Sequence, residues 1–235
     1  MATDTVSALR ALPSPAAVLF DLDGTLVDTV GTRIEAWHRT LDDAGLPTPP
    51  EAIAPLIGID GRRLAREAAA ALGRPIDAAR AEEIDRRSGE IYAMLNDAPR
   101  PLPGIGELVA TLDARGVVWA IATSSRKDQV AASVAALGFG EVPRIVDASH
   151  VEHAKPAPDL LLEAAAQLGI DPARCWYVGD STWDMEAAVA AGMVPIGVTA
   201  GAAVDAAALR AAGARITVET LDELVPAFGR AIPAP

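Results

Sequence analysis

The chain has 235 residues, 51% of them hydrophobic, which suits one large domain or a core with a smaller insert around a substantial apolar centre. Its 32 Asp and Glu against 20 Lys and Arg give a formal net charge of −12 without any basic run, which argues against a nucleic-acid or anionic-membrane surface. A lone cysteine, Cys175, excludes an intramolecular disulfide, and no stretch has the length of a membrane span or the pattern of a secretory leader, so a cytoplasmic location is expected.

In chain order, the first 16 residues, MATDTVSALRALPSPA, read as a short, poorly ordered lead. AVLF (Ala17 to Phe20) then reads as a buried strand. It runs directly into DLDGTLVDT, where Asp21 and Asp23 stand one residue apart. Acids are poor strand residues and costly to bury, so something should compensate them at this strand end.

From Thr29 to Asn96 no strand pattern occurs, whereas helical periods recur at Ile34, Trp37 and Leu41, at Leu64, Ala68 and Leu72, and at Ile84, Ile91 and Leu95. This all-helical unit, residues 29–98, leaves through the stiff, proline-rich APRPLPG (Ala98 to Gly104). It is inserted after the first strand of a core made of residues 1–28 and 99–235.

Beyond it, VVWAIAT (Val117 to Thr123), RIVD (Arg144 to Asp147), CWYVG (Cys175 to Gly179) and PIGVT (Pro195 to Thr199) are continuous apolar runs. Continuous rather than alternating strands predict a parallel sheet buried on both faces. The helices between them carry apolar stripes at Val130, Val134 and Leu137 and at Leu160, Ala164 and Leu168, stopped by Gly138 and Gly169. A weaker strand at Ile216 to Val218 and a helix near Leu221 to Phe228 complete a Rossmann-like three-layer α/β sandwich.

Ligands of an open parallel sheet bind at the carboxyl ends of its strands. Those ends carry Asp21 and Asp23, then Thr123 and Ser124, then Asp180 and Asp184, with Lys155 in HAKPAPD before a proline-initiated helix. Lys155 and Lys127 are the chain's two lysines, arginine supplying the other basic residues, so a compact ammonium is selected here. Converging carboxylates repel one another unless a cation joins them, and hard oxygen ligands suit Mg²⁺, which shares its sphere with phosphate. The constellation therefore predicts phosphoryl transfer.

DLDGTLVDT, the strand ending in ATSS, KPAPD and VGDSTWDM, in this order, resemble the four motifs of the haloacid dehalogenase superfamily, in its phosphatase branch with an α-helical cap inserted after the first strand. The resemblance runs from about Ala16 to Thr199. It implies that Asp21 attacks phosphorus and forms an aspartyl-phosphate, and that Asp23 is general acid and then base. It further implies that Mg²⁺ is held by the Asp21 carboxylate, the Asp23 backbone carbonyl and Asp180, with Asp184 supporting through water or by orienting Lys155. Thr123 and Lys155 hold the phosphoryl group, with Ser124 beside them.

Within the family, Asp23 argues against a dehalogenase, and the absence of any lysine in the cap argues against a phosphonate hydrolase. β-Phosphoglucomutases carry a histidine where this chain has Arg33, so a mutase is a distant alternative. The remaining reading is a phosphatase similar to phosphoglycolate and small sugar-phosphate phosphatases, acting on a small phosphorylated metabolite as a monomer or homodimer. Arg33, Arg62 or Arg63 is expected to meet a second anionic or polar group of the substrate, with Ser125 and Arg126 as further candidates. A non-catalytic phosphate-binding module is the alternative from another class. His150 and His153, with Glu152 between them, read as a solvated loop rather than a metal site. Trp183 reads equally as lining the entrance or packing under its motif.

Overall fold

A computed structural model describes residues 2–140, 143–147, 149 and 151–229. The strands in chain order are β1 (Ala17–Phe20), β2 (Val27–Asp28), β3 (Arg100–Pro101), β4 (Val118–Ala122), β5 (Ile145–Val146), β6 (Cys175–Gly179), β7 (Val194–Val198) and β8 (Ile216–Val218). Among the described residues, six of them form one sheet in the order β5-β4-β1-β6-β7-β8, with every neighbouring pair parallel. β1 is therefore an interior strand, flanked by β4 and β6, and the motif that follows it emerges at the middle of the sheet.

The period-two geometry of β1 divides its apolar run between two layers. Val18 and Phe20 enter a core with Leu108, Leu112, Val178, Ile196 and Leu224, whereas Ala17 and Leu19 enter a second with Ala120, Leu161, Ala164, Tyr177 and Ala188. Helices cover both faces, which is why the strands could be apolar on both sides. This is the three-layer α/β sandwich.

Eleven α-helices are described: α1 (Ala2–Ala11), α2 (Val30–Asp43), α3 (Pro50–Ile53), α4 (Gly61–Ala71), α5 (Ala78–Leu95), α6 (Ile105–Ala114), α7 (Lys127–Ala136), α8 (Asp159–Leu168), α9 (Thr182–Ala190), α10 (Ala206–Ala211) and α11 (Val225–Phe228). Between β2 and β3 the regular elements are all helices, and α2, α3, α4 and α5 bury their own cluster of Trp37, Leu41, Ile53, Leu64, Ala68 and Ile84. Asp60 and Asp77 cap α4 and α5, accepting from the Arg63 and Arg80 amides at 3.1 and 2.8 Å. Leu72, assigned to the apolar stripe of α4, falls just past that helix and is exposed.

Two segments differ from the sequence reading. The proline-rich connection is not only extended: Arg100 and Pro101 pair antiparallel with Asp28 and Val27, so both crossings into the helical segment leave side by side. The N-terminal lead contains α1, whose Leu9 is buried in the sheet core with Leu12 packed beside it. Leu12 follows the helix end, its amide donating to the Leu9 carbonyl at 3.2 Å. The Trp176 indole N–H also donates to the Pro13 carbonyl at 3.0 Å, fixing this segment.

Candidate active site

Asp21 lies one residue beyond β1, its amide donating to the Val178 carbonyl at 2.9 Å. Thr123 follows β4, with its amide on the Val146 carbonyl at 3.0 Å, and Asp180 follows β6. Parallel pairing thus brings residues distant in sequence to one rim. The turn after Asp21 requires Gly24, whose φ is +84° and where an added Cβ would fall 2.3 Å from Asp180 Oδ2.

Lys155 precedes α8 and is 1% exposed. Its Nζ donates to Asp21 Oδ1 at 2.6 Å and to Asp184 Oδ1 at 2.7 Å. Asp184 accepts at the same oxygen from the Tyr177 hydroxyl at 3.0 Å, and at Oδ2 from the Ser181 amide and hydroxyl at 3.0 and 2.6 Å. Ser181 and Asp184 form the reciprocal capping box of α9. Asp184 is thus fully engaged as an orienting group. Asp180 accepts the Thr25 hydroxyl at 2.9 Å through Oδ1.

Asp23 occupies a different environment. Its Oδ1 accepts the hydroxyls of Thr29 at 2.7 Å and Tyr92 at 2.9 Å, while Oδ2 accepts from Arg33 at 2.7 Å and Ser125 at 2.6 Å. Arg33 also donates to Ser125 and to Gln129 Oε1, and its guanidinium carbon lies 3.6 Å from the Tyr92 ring centroid. Helices α2 and α5 therefore reach across to hold a carboxylate of the core.

The electrostatics separate the acids. Burial pushes Asp21 up to about 7, against the pull of Lys155 and with Asp184 adding to it. Burial likewise raises Asp180 well above its ordinary value, with Asp184 and Asp21 contributing. At Asp23 burial is outweighed by the Arg33 charge and by the bonds from Ser125, Thr29 and Arg33, which hold it below the ordinary value. For Lys155, burial is outweighed by Asp184 and Asp21, so the ammonium stays charged.

Oxygen atoms of Asp21, Asp180 and Asp184 lie within 4.8 Å of one another. Counting Asp23, four buried carboxylates face two cations, Lys155 and Arg33, a deficit of two positive charges. A divalent ion with hard-oxygen preference fits both the donor set and the charge. The Ser124 hydroxyl, buried without a hydrogen-bond partner among the described residues, fits a further oxygen-rich guest.

These groups open into a cavity of about 690 Å³, lined from the core by Asp21, Thr123 and Asp180 and from the helical segment by Trp37, Ile59 and Asp85. Arg33, Arg62, Ser124, Ser125 and Arg126 also line it. Arg63 does not: it pairs with Glu67 at 2.6 Å and lies over the Trp183 ring, 5.0 Å from its centroid. Trp183 itself donates to the Pro55 carbonyl at 2.9 Å, joining α9 to the helical segment. His150 lies outside the described residues, and His153 contacts Asp159 at 3.0 Å in an exposed position.

Tyr92, Thr29, Thr25, Tyr177, Gln129 and Asp85 are site residues that the sequence did not disclose. Tyr92 sits on the buried face of α5 and reads as core, because its hydroxyl meets Asp23 only through packing. The S-x-x-D spacing of Ser181 and Asp184, in contrast, is a legible capping signal.

A family model for haloacid dehalogenase-like hydrolases matches residues 15–192. The chain is similar to N-acetylmuramic acid 6-phosphate phosphatase of Pseudomonas aeruginosa, 35% identical over 181 residues, covering 75% of this chain and 78% of that one. It is 33% identical over 180 residues to fructose-1-phosphate phosphatase YqaB of Escherichia coli, covering 76% and 93% of the two chains. A crystal structure of a hydrolase from Pseudomonas syringae superposes with a TM-score of 0.83 at 32% identity, covering 89% of this chain and 95% of that one.

Proposed function

Because the chain belongs to the haloacid dehalogenase-like hydrolases, we propose that it is a magnesium-dependent phosphomonoesterase working through a phosphoaspartate on Asp21. The observation that carries this reading is the buried Lys155 ammonium held between Asp21 and Asp184, beside Asp180 and the Ser124 hydroxyl, which has no partner among the described residues. Residues 29–98 act as the cap over this site. Small phosphorylated metabolites are the substrate class, as the names of the two relatives indicate for those proteins.

The Asp21 carboxylate attacks phosphorus, and the bond from phosphorus to the alcohol oxygen breaks as that oxygen takes the Asp23 proton. Asp23 then removes a proton from water, whose oxygen attacks the phosphoaspartate. The phosphorus–Asp21 bond breaks, and inorganic phosphate leaves. Thr123, Ser124 and Lys155 hold the phosphoryl oxygens, with backbone amides nearby. In the described arrangement Asp23 is kept ionised by Arg33, as its service as base requires; its service as acid requires that it take up a proton beside Arg33.

Asp21, Asp180 and the Asp23 backbone carbonyl would hold Mg²⁺, which when bound neutralises charge on the transferring group. Asp184 belongs to this set as the residue that fixes Lys155, since both its oxygens are already engaged. A pure phosphate-binding module has no use for a nucleophile set beside a proton carrier, so the same pair argues for turnover.

The test is hydrolysis of p-nitrophenyl phosphate and a panel of sugar phosphates. Turnover is expected with Mg²⁺, lost on chelation, and reduced at least a thousand-fold in Asp21→Asn with an unchanged circular dichroism spectrum. Comparable turnover by that variant would refute the covalent route.

A further inference from the structure

The cavity is lined by both the core and the helical segment, and about 690 Å³ lies within the ordinary range of small-molecule sites. Two arginines of its wall, Arg62 and Arg126, invite the reading of a second anion site. Their geometry says otherwise. Arg62 Nη2 is 2.7 Å from Asp60 Oδ2, and its Nε is 4.0 Å from Glu82 Oε2. Arg126 Nη2 is 2.8 Å from Glu82 Oε1 and 2.5 Å from Asp85 Oδ2. Arg33, the third guanidinium lining the cavity, is held by Asp23.

Arg126 donates to its two acids through Nη2 and Arg62 to Asp60 through Nε and Nη2, so each keeps further N–H donors. Their charge is already matched, however, and a substrate carboxylate would meet unmatched positive charge only by displacing one of these acids. Displacing Asp85 is the costliest case, because that residue is buried and would be left as an unpaired charge. The position of Asp85 is also built in: a Cβ on Gly61 would fall 1.9 Å from Asp85 Oδ1, so the start of α4 passes over this carboxylate only as glycine. Glu152 adds another acid to the cavity wall, and Ser88 a hydroxyl. The carboxylate oxygens are acceptors, and a guest meets them best with hydrogen-bond donors.

We propose that this chamber selects a leaving alcohol rich in hydroxyl groups and free of negative charge, its three guanidiniums being already held by Asp23, Asp60, Glu82 and Asp85. This rests on the phosphomonoesterase reading above and assigns its substrate class. It also sets the chain apart from its relative's substrate N-acetylmuramic acid 6-phosphate, itself a carboxylic acid.

The experiment compares kcat/KM with Mg²⁺ for two matched pairs, glycerol 3-phosphate against 3-phosphoglycerate and sorbitol 6-phosphate against 6-phosphogluconate. Each pair differs only in a hydroxymethyl group replacing a carboxylate. The neutral member is expected to win by at least ten-fold in both, and equal or reversed values overturn the proposal. Glu82→Gln with Asp85→Asn frees Arg126, and the preference should shrink at least three-fold; an unchanged ratio overturns the role given to the pairing. p-Nitrophenyl phosphate, run alongside, separates the two readings. Its turnover without charge preference in the pairs refutes only the selection, while its absence together with no turnover of any ester refutes the phosphatase as well.

Discussion

Lys155 shows how a single side chain can organise a site: an ammonium with almost no exposure, bridging two carboxylates that arrive from β1 and α9. Lys155→Met should cost about 3–5 kcal/mol, the order expected when one member of a buried ionic group is removed, and should abolish turnover. Lys155→Arg should also fail, because a planar fork cannot replace a point donor between two acids. Urea melts and p-nitrophenyl phosphate assays check both, and an active arginine variant would contradict the geometry.

Asp23 gives a residue-scale prediction with a defined sign. Its folded value is depressed below the ordinary 3.8, so the unfolded chain takes up the proton first as pH falls. The stability it contributes is present above about pH 4 and is lost as pH falls through the lower folded value. Arg33→Met removes the main cause. The gap in Tm between wild type and this variant should be largest near pH 5 and shrink toward pH 2.5, and a gap independent of pH would show that Asp23 is not the group concerned.

Among elements, α9 is where stability and site geometry meet. Ser181 caps it and, through the same hydroxyl, positions Asp184. Ser181→Ala should destabilise by about 1 kcal/mol, as loss of a helix cap does, and should lower kcat more than it raises KM because Lys155 loses its alignment. Thermal melts and steady-state kinetics test the two parts, and an effect on stability alone would confine Ser181 to capping. The elements differ in how plainly the sequence declared them. β1, β4, β6 and β7 were legible because a strand buried on both faces needs a continuous apolar run. β2 and β3 were not, since two residues have no period to detect. At α1, Leu9 and, just past the helix, Leu12 carried the signal, but the surrounding Thr, Ser and Pro obscured it.

Across the whole molecule, the motif acids could be placed from sequence because parallel strands deliver their carboxyl ends to one rim. The pairing of Arg126 with Glu82 and Asp85 could not, for these partners stand 44 and 41 positions away and meet it only when α5 packs toward α7. That pairing engages Arg126, one of the arginines expected to meet a second anionic or polar group of the substrate. Integrity of the fold can be followed at Cys175, which is fully buried and whose thiol is pushed up to about 11 by burial, with Asp171 adding to it. Native protein should react with a thiol reagent such as DTNB at pH 8 at least a hundred-fold more slowly than unfolded protein. Similar rates would mean that the β6 layer opens readily.

The paired strands β2 and β3 carry a consequence for inheritance and engineering. Both crossings into residues 29–98 stand on neighbouring strands, about 5 Å apart in any sheet, so the segment can be exchanged as a cassette without rerouting the core. Two sets of contacts resist such a graft: Tyr92 and Arg33, which grip Asp23, and the Glu82 and Asp85 pair that occupies Arg126. A transplanted segment lacking those acids would hand the recipient core an unclaimed guanidinium and, with it, a taste for charged substrates.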